Sequence, residues 1–490
     1  MGCGAGSGAE PSASSAAESS GETGELPEAS STSGVETEGG TAAGESTSTT
    51  GEADTDVPPE PEPSVSCDPT AFVTVDAAGG GDGSMQRPWT LAEAMAAAVA
   101  GDVVEVGPGV YTAATTGERY IPAWNPTNSG NEGEPIVFCA RHAAVHTEDV
   151  ASRSELRNDA TEPNEGSPTF GTLDRSHIVW DGFYVDEHVS PSRADTGPVT
   201  VWGSDDITVS RCVVEGAEVD RQDNHNGVRL EAVTRIRLVD NLIFGVRSAN
   251  QTDRNHAAIT TYDASDITIE HNEIRDCTMG MYLKGDHADD GLPNGAFFVR
   301  RNYVHDVELR AVEVLGVTLV GDAPSDISHN LFVASGTGVG FNNVADDHPA
   351  AVRVHHNTIV DSDSAILVFP PTMLDVTVSD NLVSASPVFY TGWDGATVDT
   401  VIANGFDTNH NFGDPSEAWI SSEADYVYDL STWQASSGLD GSSSVGDPMF
   451  VGAGDYHLAP ESAARTASSS GGPVGCFVEG DEVIGVRPAN

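Results

Sequence analysis

The sequence predicts an all-β solenoid, a stack of coils built from short strands, and three observations carry the prediction. First, similar segments recur from about residue 176: HIVWDGFYV, ITVSRCVVE, IRLVDNLIF, ITIEHNEIR, FFVRRNYVH, DISHNLFVA, VRVHHNTIV and VTVSDNLVS. They align on Gly182, Cys212, Asn241, Asn272, Asn302, Asn330, Asn357 and Asn381, at spacings of 24 to 31 residues. Second, apolar and polar residues alternate with period two on both sides of the aligned position, which is strand patterning. Third, another strand lies between successive units: VTVW, VRLE, ITTY, MYLK, VEVL, VGFN and ILVF. A period in this range made only of short strands is a solenoid repeat. Leucine-rich repeats have a regular Leu pattern that is missing, and a sandwich would not keep register over eight units. Six Asn in register predict an internal amide ladder.

The elements follow in order. Residues 1–66 form a Ser/Thr/Glu/Gly-rich stalk, expected to be disordered: the first 69 residues hold 14 acidic groups and no Lys or Arg, and hardly a large apolar side chain. The opening MGCG is similar to the start of a mature bacterial lipoprotein, with Cys3 as the lipid carrier. A myristoylation reading fits less well, because its Ser falls one position late at Ser7. No signal-peptide pattern precedes it, and no apolar run is long enough to span a bilayer. Residues 67–165 form an N-terminal cap and first coils, 166–385 the coils of the Asn ladder, and 386–490 the last coils and a closing segment.

Six cysteines are present, none with zinc-site spacing. Cys212 and Cys277 lie in apolar patterns and read as buried thiols. Cys67 and Cys476 bracket the folded region and are a candidate pair. Against 76 acidic residues stand 22 basic ones, a net charge of −54. That balance excludes duplex nucleic acid, whose binders need a basic face, and disfavours an anionic membrane surface. A single lysine, Lys284, accompanies 21 arginines.

The stretch GGGDGSMQRPWTLAEAMAAAVAGDVVEVGPGVY, the eight repeats and the closing DPMFVGAGDYHLAPESAAR together resemble right-handed parallel β-helix proteins of the pectate-lyase-like superfamily. The resemblance implies a single-stranded right-handed coil stack, plugged at its start by the helix LAEAMAAAVA. It also implies a polysaccharide partner, an extracellular or cell-surface location and a monomer. It covers roughly residues 70–490 and is specific for fold rather than for activity.

Alternation sends the first and third residues of each second strand inward. The outward columns are then Thr200, Arg229, Thr260, Tyr282, Glu313, Gly340, Leu367 and Trp202, Glu231, Tyr262, Lys284, Leu315, Asn342, Phe369. DNHNGV and DRNHAAI place His225 and His256 one above the other at the edge of this face. Lys284, Tyr282, Arg229, His256, His225 and Glu313 are the candidate catalytic residues, a convergent polar group on one strand face. Trp202, Glu231, Tyr262, Asn342 and Phe369 are candidate substrate contacts, the aromatic rings as platforms for sugars. The loops GDHADDG and NNVADDHP bring Asp286, Asp289, Asp290, Asp346 and Asp347, an oxygen-rich set suited to Ca²⁺, although solvated loops explain it as well.

The expected reaction is cleavage of an acidic polysaccharide by β-elimination. A cation neutralises the uronate, Lys284 removes the C5 proton, and Tyr282 or His256 protonates the leaving oxygen. The resemblance is nearest to the chondroitinase and alginate-lyase branch, which has a lysine base on this strand beside a calcium. Its Arg-His pair on the following coil is replaced by AVEVLG, with Glu313 outward. Hydrolysis fits less well: an inverting pair stands about 6.5–9.5 Å apart, whereas Glu231 and Glu313 are three rungs, about 14 Å, apart. The non-enzymatic alternative is a surface glycan-binding or adhesin solenoid, and a third reading is a glycoside hydrolase or epimerase.

Overall fold

A computed structural model describes residues 66–489, apart from 163–165, 194, 220–223, 250–254, 285–294, 316–324, 343–349, 369–373, 393–406, 423–425, 479 and 481. Residues 60–490 form one compact unit. It is a parallel β-solenoid of about 11 turns. Each coil contributes one strand to each of three sheets. In one full coil the first sheet receives Asp205–Ser210 and the second Val213–Glu215. The third receives the N-terminal half of His225–Val239, whose C-terminal half rejoins the first sheet one rung higher. Pairing along the stack is parallel from Ala71–Val73 through Ala418–Ser422.

A sharp bend between the first and second sheets helps make this possible. The residue before Cys212, before each of the six aligned Asn and before Asn411 lies in the left-handed region, with φ between 52° and 58° at Arg211, Asp240, His271, Arg301, His329, His356, Asp380 and His410. That conformation is costly for a side chain bearing Cβ, so neighbouring contacts must hold it. The amide ladder supplies them. Asn241, Asn272, Asn302, Asn330 and Asn357 each donate Nδ2–H to Oδ1 of the next Asn at 2.9–3.0 Å, and Asn381 donates to Asn411 at 3.2 Å. Asn411, which the repeat alignment did not include, thus adds a seventh rung. The ladder ends on buried Asp440, which also accepts from the indoles of Trp433 and Trp419.

Inward residues of the three sheets form one continuous apolar core. The helix Leu91–Ala97 starts at Thr90 with a capping box to Glu93 and buries Leu91, Ala94 and Met95 over the first coils. At the other end the helix Leu430–Ser437, not anticipated from sequence, buries Trp433. The closing hairpin Phe450–Gly452 and Asp455–Leu458 follows. From there the chain runs back along the ladder corner. Ser469 and Gly475 donate to Asp380, Cys476 to Thr358, Gly485 to Arg301 and Arg487 to Asp240.

The cysteine pairing differs from the expectation. Cys67 is bonded to Cys139, Cys476 is a buried thiol within this strap, and Cys212 and Cys277 are buried thiols as expected. The two bonded residues meet where the cap crosses Val137 and Val179, a proximity created by the coil stack and absent from linear order.

Candidate active site

The third sheet presents its outward residues in the register read from sequence. Thr200, Arg229, Thr260, Tyr282, Glu313, Gly340 and Leu367 are successive partners, as are Trp202, Glu231 and Tyr262, and then Lys284, Leu315 and Asn342. The intervening Val228, Leu230, Met281, Leu283, Val312 and Val314 pack into the core. The period-two alternation therefore fixes which side chains share this face.

Lys284 is at its centre and turns towards the preceding coil. Its Nζ donates to Tyr262 Oη and to Asn255 Oδ1, both at 2.6 Å. It also lies 4.4 Å from the ring centroid of Tyr262 and 4.3 Å from that of Tyr282. The guanidinium of Arg229 stands 4.4 Å from the Tyr262 centroid, so this one phenol is in contact with two cations. Arg229 Nε donates to Glu231 Oε2 at 2.7 Å, and Nη1 donates to Asn226 Oδ1 at 3.3 Å.

By register Glu313 is the diagonal neighbour of Lys284. Its carboxylate accepts from Arg310 on its own strand at 2.5 Å and from Asn342 at 3.4 Å. Gly340 opens the space for this: a Cβ there would stand 2.7 Å from Arg310 Cδ. Arg310 and Asn255 were not anticipated. Asn255 precedes a histidine already singled out, whereas Arg310 follows an irregularity in the pairing between Val307 and Arg310 that no alternation pattern reveals. Among the described residues, this face carries the basic side chains Arg229, Lys284 and Arg310 and the carboxylates Glu231 and Glu313, in a chain of net charge −54.

Several expected positions are corrected. His225 and His256 are register partners with ring centroids 5.7 Å apart, but both are buried rather than lying at an open edge. His225 Nε2 is 2.6 Å from Glu187 Oε2, which ties it to the loop corner and not to Lys284. The Trp202 ring packs against Tyr120 at 3.7 Å between centroids, so that face is already covered. Tyr262 is 3 % exposed, so its ring faces Arg229 and Lys284 rather than standing open as a sugar platform, and Tyr282, expected as a proton donor, is 5 % exposed with its ring against Lys284. Phe369 and the five loop carboxylates Asp286, Asp289, Asp290, Asp346 and Asp347 lie outside the described residues.

Coil geometry, sheet order and register together define the fold: the chain is a parallel β-helix. The family model of NosD, a periplasmic copper-binding protein, matches residues 210–428. Among solved structures, the chain is similar to the PL6 family polysaccharide lyase Pedsa3628 from Pseudopedobacter saltans, with 13% identity over 82% of this chain and 98% of that one, and a TM-score of 0.45. It is also similar to pectate lyase Pel9A, with 11% identity over 84% and 98% and a TM-score of 0.40. A third is the GH136 lacto-N-biosidase from Eubacterium ramulus, with 10% identity over 76% and 67% and a TM-score of 0.40. No curated protein matches.

Proposed function

We propose that this protein processes an acidic polysaccharide outside the cytoplasm, and that it does so by β-elimination on the third-sheet face. The observation that carries the reading is the hydrogen bond of 2.6 Å from the chain's one lysine to a phenol that also stacks on Arg229. In the proposed cycle the C5–H proton passes to neutral Lys284 Nζ. The C5 electron pair forms the C4–C5 double bond as the C4–O bond breaks. The leaving oxygen takes the proton of Tyr262, and the new ammonium returns a proton to the phenolate through the Lys284–Tyr262 hydrogen bond. Positive charge beside that oxygen lowers the cost of charge developing on it. The Cys67–Cys139 bond supports an oxidising, extracytoplasmic setting, and among the described residues no helix is long and apolar enough to cross a membrane.

A second reading, a glycan-binding solenoid without catalysis, is favoured by the burial of Tyr262, Tyr282 and Glu313. The two separate on Lys284→Arg, which binding tolerates and a base does not. The experiment is the ultraviolet absorbance of unsaturated uronate released from alginate, pectate, chondroitin and heparan, with a chelator arm addressing the calcium expectation. Elimination predicts a signal that Lys284→Arg abolishes. A flat trace on all four polymers, with glycan binding retained, would favour the second reading.

A further inference from the structure

A separate cluster lies where the second sheet hands over to its loops. Tyr184–Asp186 and Val213–Glu215 pair in register, which places Asp186 opposite Glu215. Stacked like charges one rung apart are unfavourable unless a positive group joins them. Beyond Asp186 the chain folds back. His188 N donates to Asp186 Oδ1 at 2.8 Å, and its ring Nδ1 lies 3.1 Å from the same oxygen. One ligand atom each from Asp186, His188 and Glu215 lies within 4.8 Å of the other two. Tyr184 donates its hydroxyl to Glu215 Oε2 and so orients that carboxylate.

An independent observation comes from the cavity beside this cluster. His188 lines it together with Glu187, Ser192, Glu218 and His225. His225 is 1 % exposed, and its Nδ1 has no hydrogen-bond partner among the described residues. Its other nitrogen faces Glu187, itself bonded by Ser192. A carboxylate on one imidazole nitrogen fixes the tautomer and presents a lone pair on the other, as in the shells around metal-binding histidines.

We propose that Asp186, His188 and Glu215 bind a divalent transition-metal ion of the Zn²⁺ class, and that the adjoining cavity admits the ion's remaining ligand, a water or a small hydroxyl compound, to the lone pair of His225. One imidazole and two carboxylates with an open position suit Zn²⁺, whereas Ca²⁺ takes oxygen ligands throughout. The site is independent of the reaction at Lys284.

The molecule supplies its own control. Asp455 and His457 form the same turn, with His457 Nδ1 2.6 Å from Asp455 Oδ1, but no third ligand joins them among the described residues. The test is calorimetric titration of the chelator-treated full chain with Zn²⁺, with Ca²⁺ in parallel. We expect one Zn²⁺ per chain and no competition from equimolar Ca²⁺. Affinity should fall by roughly 100-fold or more in His188→Ala and Glu215→Gln, and by about 10- to 100-fold in Tyr184→Phe. It should be unchanged in His457→Ala. The His188 side chain is 58% exposed, so removing it leaves the core intact and its loss reports binding rather than folding. The proposal is overturned if the wild-type chain takes up no Zn²⁺, if His188→Ala and Glu215→Gln bind as the wild type does, or if His457→Ala loses affinity equally.

Discussion

The inner corner of the Asn ladder and the outward face of the third sheet rest on the same register but use it in opposite ways. On the ladder every rung repeats one amide and one pair of bonds, so each coil supports the next and the left-handed bends are held. On the outward face no two rungs repeat: Arg229, Tyr262, Lys284 and Glu313 come from four successive coils. The difference teaches that repetition secures the scaffold, and that chemistry arises where one column departs from it. Changes on the ladder should therefore alter stability, and changes on the face should alter turnover with the fold intact.

The largest break in that contrast is Asn302→Ala. Asn302 accepts from Asn272 N and Nδ2, both at 3.0 Å, and donates to Ile269 O at 2.8 Å and Asn330 Oδ1 at 3.0 Å, all fully buried. Stranding these groups costs about 1–3 kcal/mol each before relaxation, so a net loss of about 3–5 kcal/mol is expected in urea unfolding. A loss below about 1 kcal/mol would show that the ladder is ornamental.

Acid should act on the same corner. Burial first, and then the charge of Arg487, lower His271 to about 4 from the usual 6.5 of a free imidazole. The unfolded chain then takes up a proton that the folded chain refuses. Stability present above about pH 6.5 is lost as the pH falls towards 4, by up to about 3 kcal/mol. His305 works in reverse: although its burial lowers the pKa, Glu273 and Asp306 raise it overall, so its contribution is present below the ordinary range and lost as pH rises. Urea midpoints measured at neutral and mildly acid pH should show the net loss, and His271→Gln should flatten it. A wild-type profile as flat as the variant's would contradict the assignment.

On the face, Tyr262→Phe should lower elimination by about 10²-fold, within the span of one proton-transfer group, while the unfolding midpoint stays close to wild type. An equal loss of stability and turnover would make Tyr262 a packing residue. The smallest effect is expected from Arg487→Gln. It breaks the contact between the strap and Asp240, where the guanidinium is 2.6 Å from Oδ2, and should cost about 1–2 kcal/mol. Protection from proteolysis near the C-terminus should fall with it; unchanged protection would mean that the other strap contacts suffice.

Much of the scaffold was legible because it is written locally. Alternation alone ordered both outward columns, and the Asn spacing alone ordered the ladder. Asn411 was legible too, since TNHNFGD follows Asn381 at 30 residues with the same bend signal. What could not be read were choices made between coils. Lys284 could turn to the coil before it or after it, and the Glu313 partner depended on Arg310 passing over Gly340. The burial of His225 goes with a contact to Glu187 that leaves no periodic trace, and the Cys67–Cys139 bond depends on how the cap crosses the first sheet.

The most direct test of the central claim compares wild type with Lys284→Ala on the acidic-polysaccharide panel, following unsaturated uronate by ultraviolet absorbance and the fold by unfolding midpoint. The account predicts product from at least one polymer in wild type, a loss of about 10²- to 10⁴-fold in the variant, and nearly equal midpoints. Product formed at the same rate by the Lys284→Ala protein would contradict it.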